Sequence, residues 1–109
     1  NIDNHLIRSE FPLDYKFSCE NIRVWITHIG GYPNRYSKRI SEGLKSEKVD
    51  LFICGHSHIL KVINDKKNNL LHINPGAIGK HGFHNKRTMV RFEIDGKKIE
   101  NLEIIEFNR

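Results

Sequence analysis

Cysteine is scarce in this sequence and long hydrophobic runs are missing, and each scarcity excludes a class of protein. Two cysteines, Cys19 and Cys54, are too few for a disulfide framework, so we expect a reduced, cytoplasmic setting. No apolar run approaches the ~20 residues of a membrane-spanning helix, so no membrane partner is expected. The chain opens on NIDNHLIRSE, which lacks the basic and apolar regions of a secretion signal. Its 109 residues, 38% of them hydrophobic, suit a single domain.

The positive charge is spread along the chain instead of forming one stripe. The net charge is +5, but the basic segment SKRISEGLKSEK mixes both signs. The lysine pairs of NDKKNN and DGKKIE have the composition of polar turns. Nucleic acid is therefore not expected as a main partner. An excess of positive charge is instead suited to attracting a small anionic substrate such as a phosphate ester.

A βαβ unit is predicted in the first half of the chain. The segment IRVWIT is rich in β-branched and aromatic residues, which favour a strand. Tyr36, Ile40 and Leu44 then recur every four residues and predict a helix, for which Asn34 is the expected cap. The apolar run VDLFIC follows and predicts a strand covered on both faces. The two strands should be parallel neighbours in one sheet.

The other strands are predicted to form antiparallel hairpins, whereas most of the first twenty residues are expected to be irregular. Turn residues occur at Glu20-Asn21, in NDKKNN and at Asp95-Gly96. Val90, Phe92 and Ile94 alternate with polar residues on the strand before the last of these turns. The expected fold class is thus α/β, with a βαβ unit followed by antiparallel hairpins, in one domain spanning residues 1–109.

Three histidines are expected at the carboxyl edge of the predicted sheet. His28 follows the first strand of the βαβ unit, and His56 and His58 follow the second. Ligands bind at this edge in open α/β sheets. In extended backbone, positions i and i+2 point to the same side, so His56 and His58 could offer two imidazoles to a metal. The alternative is that they are ordinary loop residues.

Two glycine-containing loops lie next to these histidines. Gly30 and Gly31 belong to HIGGYP, and Asn74 and Gly76 belong to NPGAIG. The backbone N–H groups of such loops can hold a phosphate, although both segments could also be simple turns. His81 and His84 follow the second loop, where they could line a substrate entrance. His72 is interpreted as a strand residue and Cys54 as a packing residue.

The motifs TH, CGHSH and NPGA, each placed after a predicted strand or hairpin, resemble the calcineurin-like metallophosphoesterase superfamily, and in particular its small bacterial phosphodiesterase branch. The opening NID is similar to the last three residues of that family's G-N-x-D motif. The resemblance implies an α-β-β-α sandwich of two sheets. It also implies that residues 1–109 are the carboxyl-terminal two-thirds of such a domain.

The resemblance further implies a centre with two divalent metal ions, chosen from manganese, iron, zinc and nickel. Asn1, His28 and His56 would bind one ion and His58 the other. The two ions would clamp a phosphate ester and supply a bridging hydroxide as the in-line nucleophile. The implied activity is that of a metal-dependent phosphoesterase, most specifically a phosphodiesterase, acting on a small molecule.

Several family motifs have no counterpart in this chain. D-x-H occurs only as Asp3-Asn4-His5, which overlaps the NID segment and so is not the family's separate first motif. G-D-x-x-D is missing, and Ile2 stands where many members carry a histidine that protonates the leaving group. We therefore expect at most one well-formed metal site and no activity from this chain alone. Two alternatives are a protein-binding scaffold of the same fold and a single structural zinc held by His28, His56 and His58.

Overall fold

The computed structural model describes residues 3–109, which form two helices and seven strands. The helices are α1 (His5–Glu10) and α2 (Lys38–Ser46). The strands are β1 (Asp14–Cys19), β2 (Ile22–Thr27), β3 (Leu51–Ile53), β4 (Leu60–Asp65), β5 (Leu70–Pro75), β6 (Lys86–Asp95) and β7 (Lys98–Asn108). Neither helix is long and apolar enough to cross a membrane.

Strands β1 to β5 form one mixed sheet in the order β1-β2-β3-β5-β4. Strands β2, β3 and β5 run parallel in its centre, and β1 and β4 pair antiparallel at its edges. Helix α2 connects β2 to β3, which confirms the predicted βαβ unit. The hairpins β1–β2, β4–β5 and β6–β7 turn where the sequence predicts them, with φ of 52° at Glu20 and 62° at Gly96.

Each face of the mixed sheet is covered by a different element. On one face α2 packs Ile40 against Trp25 and Phe52, whose rings meet edge-on with centroids 5.3 Å apart. The opposite face packs against the two-stranded sheet β6–β7 through a second apolar cluster. Val90, Phe92 and Ile94 belong to that contact, as their alternation predicts. The expected α/β fold class with two packed sheets is therefore confirmed.

Two other residues, one just after β3 and one on β5, are buried on the α2 side of the mixed sheet. Cys54 packs in the same cluster as Trp25, and burial raises the pKa of its thiol to about 11, which agrees with a packing role. His72 is fully buried on β5, and its Nδ1 lies 3.2 Å from the hydroxyl oxygen of Tyr36. The imidazole is thus part of the core.

Two sequence-based expectations about the helices are wrong. Asn34 does not cap α2: it has φ of 72° within a turn closed by Arg35 N–H donating to Tyr32 O, and Ser37 holds the cap position. Because this turn occupies residues 32–35, the helix begins only after it, with Ser37 as its cap. Helix α1 forms in a segment expected to be irregular, since the Asn4 side chain accepts a hydrogen bond from Ile7 N–H at 3.1 Å.

Candidate metal centre

Parallel pairing of β2 with β3 brings two of the predicted histidines together. Ile26 pairs with Ile53 near the carboxyl ends of both strands, so the loops that follow start side by side. Gly55 N–H donates to the carbonyl of His28 at 2.9 Å and ties the two loops. Nδ1 of His56 then lies 3.3 Å from Nε2 of His28, with the ring centroids 5.0 Å apart.

The separation of these two nitrogens fits neighbouring ligands of one metal ion. Imidazole nitrogens about 2.1 Å from an ion, at bond angles of roughly 90–110°, are about 3.0–3.4 Å apart. Imidazole is also a donor that manganese, iron, zinc and nickel accept. Within residues 3–109, however, no three His, Cys, Asp or Glu side chains are grouped so as to hold an ion. The pair therefore fits part of a ligand set and needs further donors.

His58 lies in the same loop, but its ring contacts a different partner. Its centroid is 5.3 Å from that of His84, at an interplanar angle of 90°. Because His58 is not grouped with His28 and His56 around one point, a single zinc held by all three histidines is not supported. Asn1, the remaining predicted ligand, lies outside the described residues.

The backbone of this loop is not extended, contrary to the reasoning from the H-x-H spacing. His56 and His58 both adopt left-handed conformations, with φ of 68° and 63°. Residues other than glycine rarely adopt this backbone conformation, which costs of order 1 kcal/mol or more per residue. Ser57, which lies between the two histidines, donates its N–H to Gly55 O at 2.8 Å, and this bond makes the loop a tight turn. The strain is concentrated at the two histidines whose side chains the loop presents.

A hydrogen-bond network on Ser57 and Asn74 holds the loop in this shape. The hydroxyl of Ser57 accepts from Tyr32 OH at 2.6 Å and from Asn74 Nδ2 at 3.1 Å. Asn74 is 1% exposed, and its Nδ2 also donates to Gly55 O. Its Oδ1 accepts from Gly76 N–H at 3.1 Å. Asn74 and Gly76 are thus part of the support of the histidine loop, and their role as phosphate ligands stays a prediction.

The glycines of the first loop also have internal reasons to be glycine. A Cβ on Gly30 would lie 2.7 Å from Cζ of Phe52, so any side chain there would displace the core. Gly31 has φ of 89°, and a Cβ would lie 2.4 Å from the carbonyl oxygen of Arg35. Both observations are satisfied by a turn packed on the sheet. A phosphate contact by Gly30 and Gly31 remains a prediction.

The electrostatic environment favours neutral imidazoles at the site. Burial lowers the pKa of His28, and the nearby positive charges of His56 and Arg8 lower it further. The pKa of His58 is lowered by burial and by the charges of His84 and His81. A neutral imidazole keeps the lone pair that a metal requires, so both shifts act in the direction of metal binding.

A cleft of about 660 Å³ opens beside His28 and His56, and its mainly apolar lining also includes the charged residues Asp3 and Arg8. Its walls include the side chains of Ile7, Phe11, Leu13 and Ile29. Helix α1 and the residues that follow it contribute much of this wall. Ser57 and Tyr32 are further site residues that spacing alone does not identify, because they are linked by a hydrogen bond between two loops. His84, a residue expected to line a substrate entrance, contacts the ring of His58.

Comparison with known proteins identifies the family to which this chain belongs. Residues 1–97 match the family model described as the calcineurin-like phosphoesterase superfamily domain. The chain belongs to the calcineurin-like phosphoesterase superfamily. A search of curated proteins found no match.

Solved structures share the superfamily fold with this chain. A structure of an archaeal phosphodiesterase has a TM-score of 0.64 at 20% identity, covering 87% of this chain and 51% of that one. The solution structure of Thermotoga maritima protein TM1076 has a TM-score of 0.66 at 19% identity, covering 98% and 62%. Vps29 from Entamoeba histolytica, solved in complex with Zn²⁺, has a TM-score of 0.59 at 17% identity, covering 87% and 61%. The chain thus spans between about half and three-fifths of the length of these proteins.

Proposed function

We propose that the whole protein of which these residues form part is a metal-dependent phosphodiesterase acting on a small phosphate ester. The observation that carries the proposal is the 3.3 Å separation between Nε2 of His28 and Nδ1 of His56 in a member of the calcineurin-like phosphoesterase superfamily. This separation suits two ligands of one ion. The mainly apolar cleft beside the pair gives space for the organic part of a substrate.

Within this proposal His28 and His56 hold one ion together with Asn1, and His58 holds a second ion. Divalent cations bound there would neutralise the charge of the phosphate and supply a nucleophile from water. Manganese, iron, zinc and nickel all suit the histidine donors. The loop containing Gly30 and Gly31 and the loop containing Gly76 lie after β2 and β5, on the side where a bound phosphate would need backbone N–H donors.

We further propose that another segment of the domain supplies the missing ligands and covers an apolar part of the mixed sheet. Tyr15 and Phe17 pack edge-on with centroids 4.8 Å apart, yet they remain 56% and 38% exposed. Tyr15 is paired with Ile26, which is 37% exposed, and Phe17 with Val24, which is buried against β6–β7. Because paired residues share a face, the exposed residues continue the face that the second sheet covers.

In this proposal residues 1–109 are the carboxyl-terminal two-thirds of the domain, and alone they do not catalyse hydrolysis. The solved structures support it, since the chain covers only 51% of the archaeal phosphodiesterase and 62% of the Thermotoga protein. An additional segment would bring carboxylates to His58. It would also remove a patch of exposed aromatic surface from water.

Hydrolysis of an activated aryl phosphodiester by the whole protein tests the proposal. We expect turnover that requires Mn²⁺ or another added divalent ion, and a loss of at least about a hundredfold in kcat/KM for His56→Ala. His5→Ala, which changes an exposed histidine outside the predicted ligand set, serves as the matched control and should retain activity. Turnover that does not need metal, or that is unchanged in His56→Ala, would contradict the proposal.

A further inference from the structure

His84 is a histidine outside the predicted ligand set whose proton position is fixed by its surroundings. Its Nε2 lies 2.8 Å from the carbonyl oxygen of Gly79. A carbonyl oxygen only accepts, so Nε2 carries the hydrogen and donates it. In the neutral ring Nδ1 is then an acceptor with a bare lone pair. This nitrogen is buried, and nothing within residues 3–109 donates a hydrogen bond to it.

The backbone at His84 is held from the far end of the chain. Arg109, just after β7, donates from its guanidinium to the carbonyl of His84 at 2.7 Å. At the start of the same loop Thr88 N–H donates to Ala77 O at 2.9 Å. These bonds fix the loop between β5 and β6 at both ends, so the ring of His84 is presented from a defined backbone position.

The ring of His84 faces His58 across a space that only glycine leaves open. The two rings meet edge-on with centroids 5.3 Å apart. Gly82 lies against both rings: a Cβ built on it would be 2.3 Å from Nδ1 of His58 and 3.0 Å from Nδ1 of His84. Its φ of 128° is also unfavourable for residues with a side chain. The two Nδ1 atoms therefore border the same small volume.

We propose that His84 is a positioning residue for His58, whose Nδ1–H donates a hydrogen bond to Nδ1 of His84. Closing this bond requires a rotation of the side chains, and it satisfies the buried acceptor of His84. The lone pair of His58 is then on Nε2, the nitrogen left to bind a metal. Histidines that bind metals almost always donate their other ring N–H in this way, and such partners affect metal affinity by about 10- to 100-fold.

The metal-binding part of this inference rests on the proposed function, whereas the tautomers of the two rings do not. Long-range ¹H–¹⁵N correlation spectra of the protein, with and without Zn²⁺, report which nitrogen of each histidine carries the hydrogen. We expect the Nε2–H tautomer at His84 and the Nδ1–H tautomer at His58. Titration calorimetry with Zn²⁺ measures the affinity in parallel.

Two substitutions separate the acceptor of His84 from its ring. His84→Phe keeps an aromatic ring without an acceptor, so His58 should shift toward the Nε2–H tautomer and Zn²⁺ affinity should fall about tenfold. His84→Asn removes the ring but can place its amide oxygen near the position of Nδ1, so the tautomer of His58 should be retained. His5→Phe, at an exposed histidine on α1, is the matched control and should change neither.

An Nε2–H tautomer at His58 in the wild-type protein would overturn the inference, as would an unchanged tautomer in His84→Phe. If His84→Phe does not fold, the wild-type spectra and His84→Asn decide the question. Absence of any Zn²⁺ binding would contradict the proposed function, while the tautomers of the metal-free protein would still support or overturn the role of His84.

Discussion

Gly76→Ala should destabilise the contact between the Asn-Pro-Gly loop and the second sheet. Gly76 has φ of 76°, and a Cβ there would lie only 2.0 Å from Oγ1 of Thr88 on β6. That hydroxyl is not free to move aside, because it donates to the carbonyl of Pro75 at 2.8 Å and Thr88 is 6% exposed. The substitution therefore strains the backbone and breaks a partly buried hydrogen bond.

The cost of Gly76→Ala can be divided between these two causes. A left-handed conformation costs a residue with a Cβ about 1 kcal/mol more than glycine. Leaving the partly buried carbonyl of Pro75 without this donor costs about 1–3 kcal/mol. The free energy of unfolding should thus fall by about 3 kcal/mol. In a Thr88→Ala background the hydroxyl is already missing, so Gly76→Ala should cost only about 1 kcal/mol.

Urea denaturation of the four proteins of this double-mutant cycle measures the effect. The loss of unfolding free energy in the double variant should be smaller than the sum of the losses in the two single variants, by about 1–2 kcal/mol. Gly79→Ala is the matched control, since no heavy atom lies within 4 Å of its Cβ position, and it should change stability by no more than about 0.5 kcal/mol. Equal costs of Gly76→Ala in the two backgrounds would refute the reasoning.

Three further outcomes follow from the buried contacts. Gly43→Ala should lower stability by about 1–2 kcal/mol, because its Cβ would lie 2.5 Å from Cη2 of Trp25; a more stable variant in urea denaturation would contradict this packing. Burial lowers the pKa of His72 below its ordinary value of 6.5. Below about pH 6.5 the unfolded chain therefore takes up a proton that the folded protein does not, and the free energy of unfolding should fall as the pH decreases. Between about pH 7.5 and 5.5 the wild type should lose about 1 kcal/mol more than His72→Phe, and identical losses in the two proteins would show that His72 does not cause the effect. Asn74→Ala should cost about 1–3 kcal/mol, because it leaves the Gly76 N–H without its acceptor and removes one donor each from Gly55 O and the Ser57 hydroxyl. Asn64→Ala, at an exposed residue of β4, is the control, and thermal unfolding that does not distinguish the two variants would contradict the support role of Asn74.

Most of the fold could be predicted because its signals are local. The β-branched residues of β2, the apolar run of β3 and the turn at Asp95-Gly96 each indicate their element within a few residues. The parallel pairing of β2 and β3 then followed from the length of the crossover between them. That pairing is also why His28 and His56 could be expected at one edge, where the structure brings their nitrogens to 3.3 Å.

The features that the sequence did not reveal depend on contacts between distant segments. Helix α1 has no buried residue and so no apolar stripe to identify it. The left-handed conformations of His56 and His58 depend on bonds from Asn74 and Tyr32, which no spacing rule contains. The position of His84 likewise follows from Gly79 and Arg109, one in its own loop and one at the end of the chain.

Equilibrium binding of Zn²⁺ to the whole protein tests most directly the claim that His28 and His56 share one ion. Calorimetry on the wild type, His28→Ala, His56→Ala and the double variant gives the number of ions and their affinities. We expect each single variant to weaken binding of the same ion, and the double variant to lose much less binding free energy than the sum of the two single losses. Unchanged binding in either single variant, or additive losses from two separate ions, would contradict it.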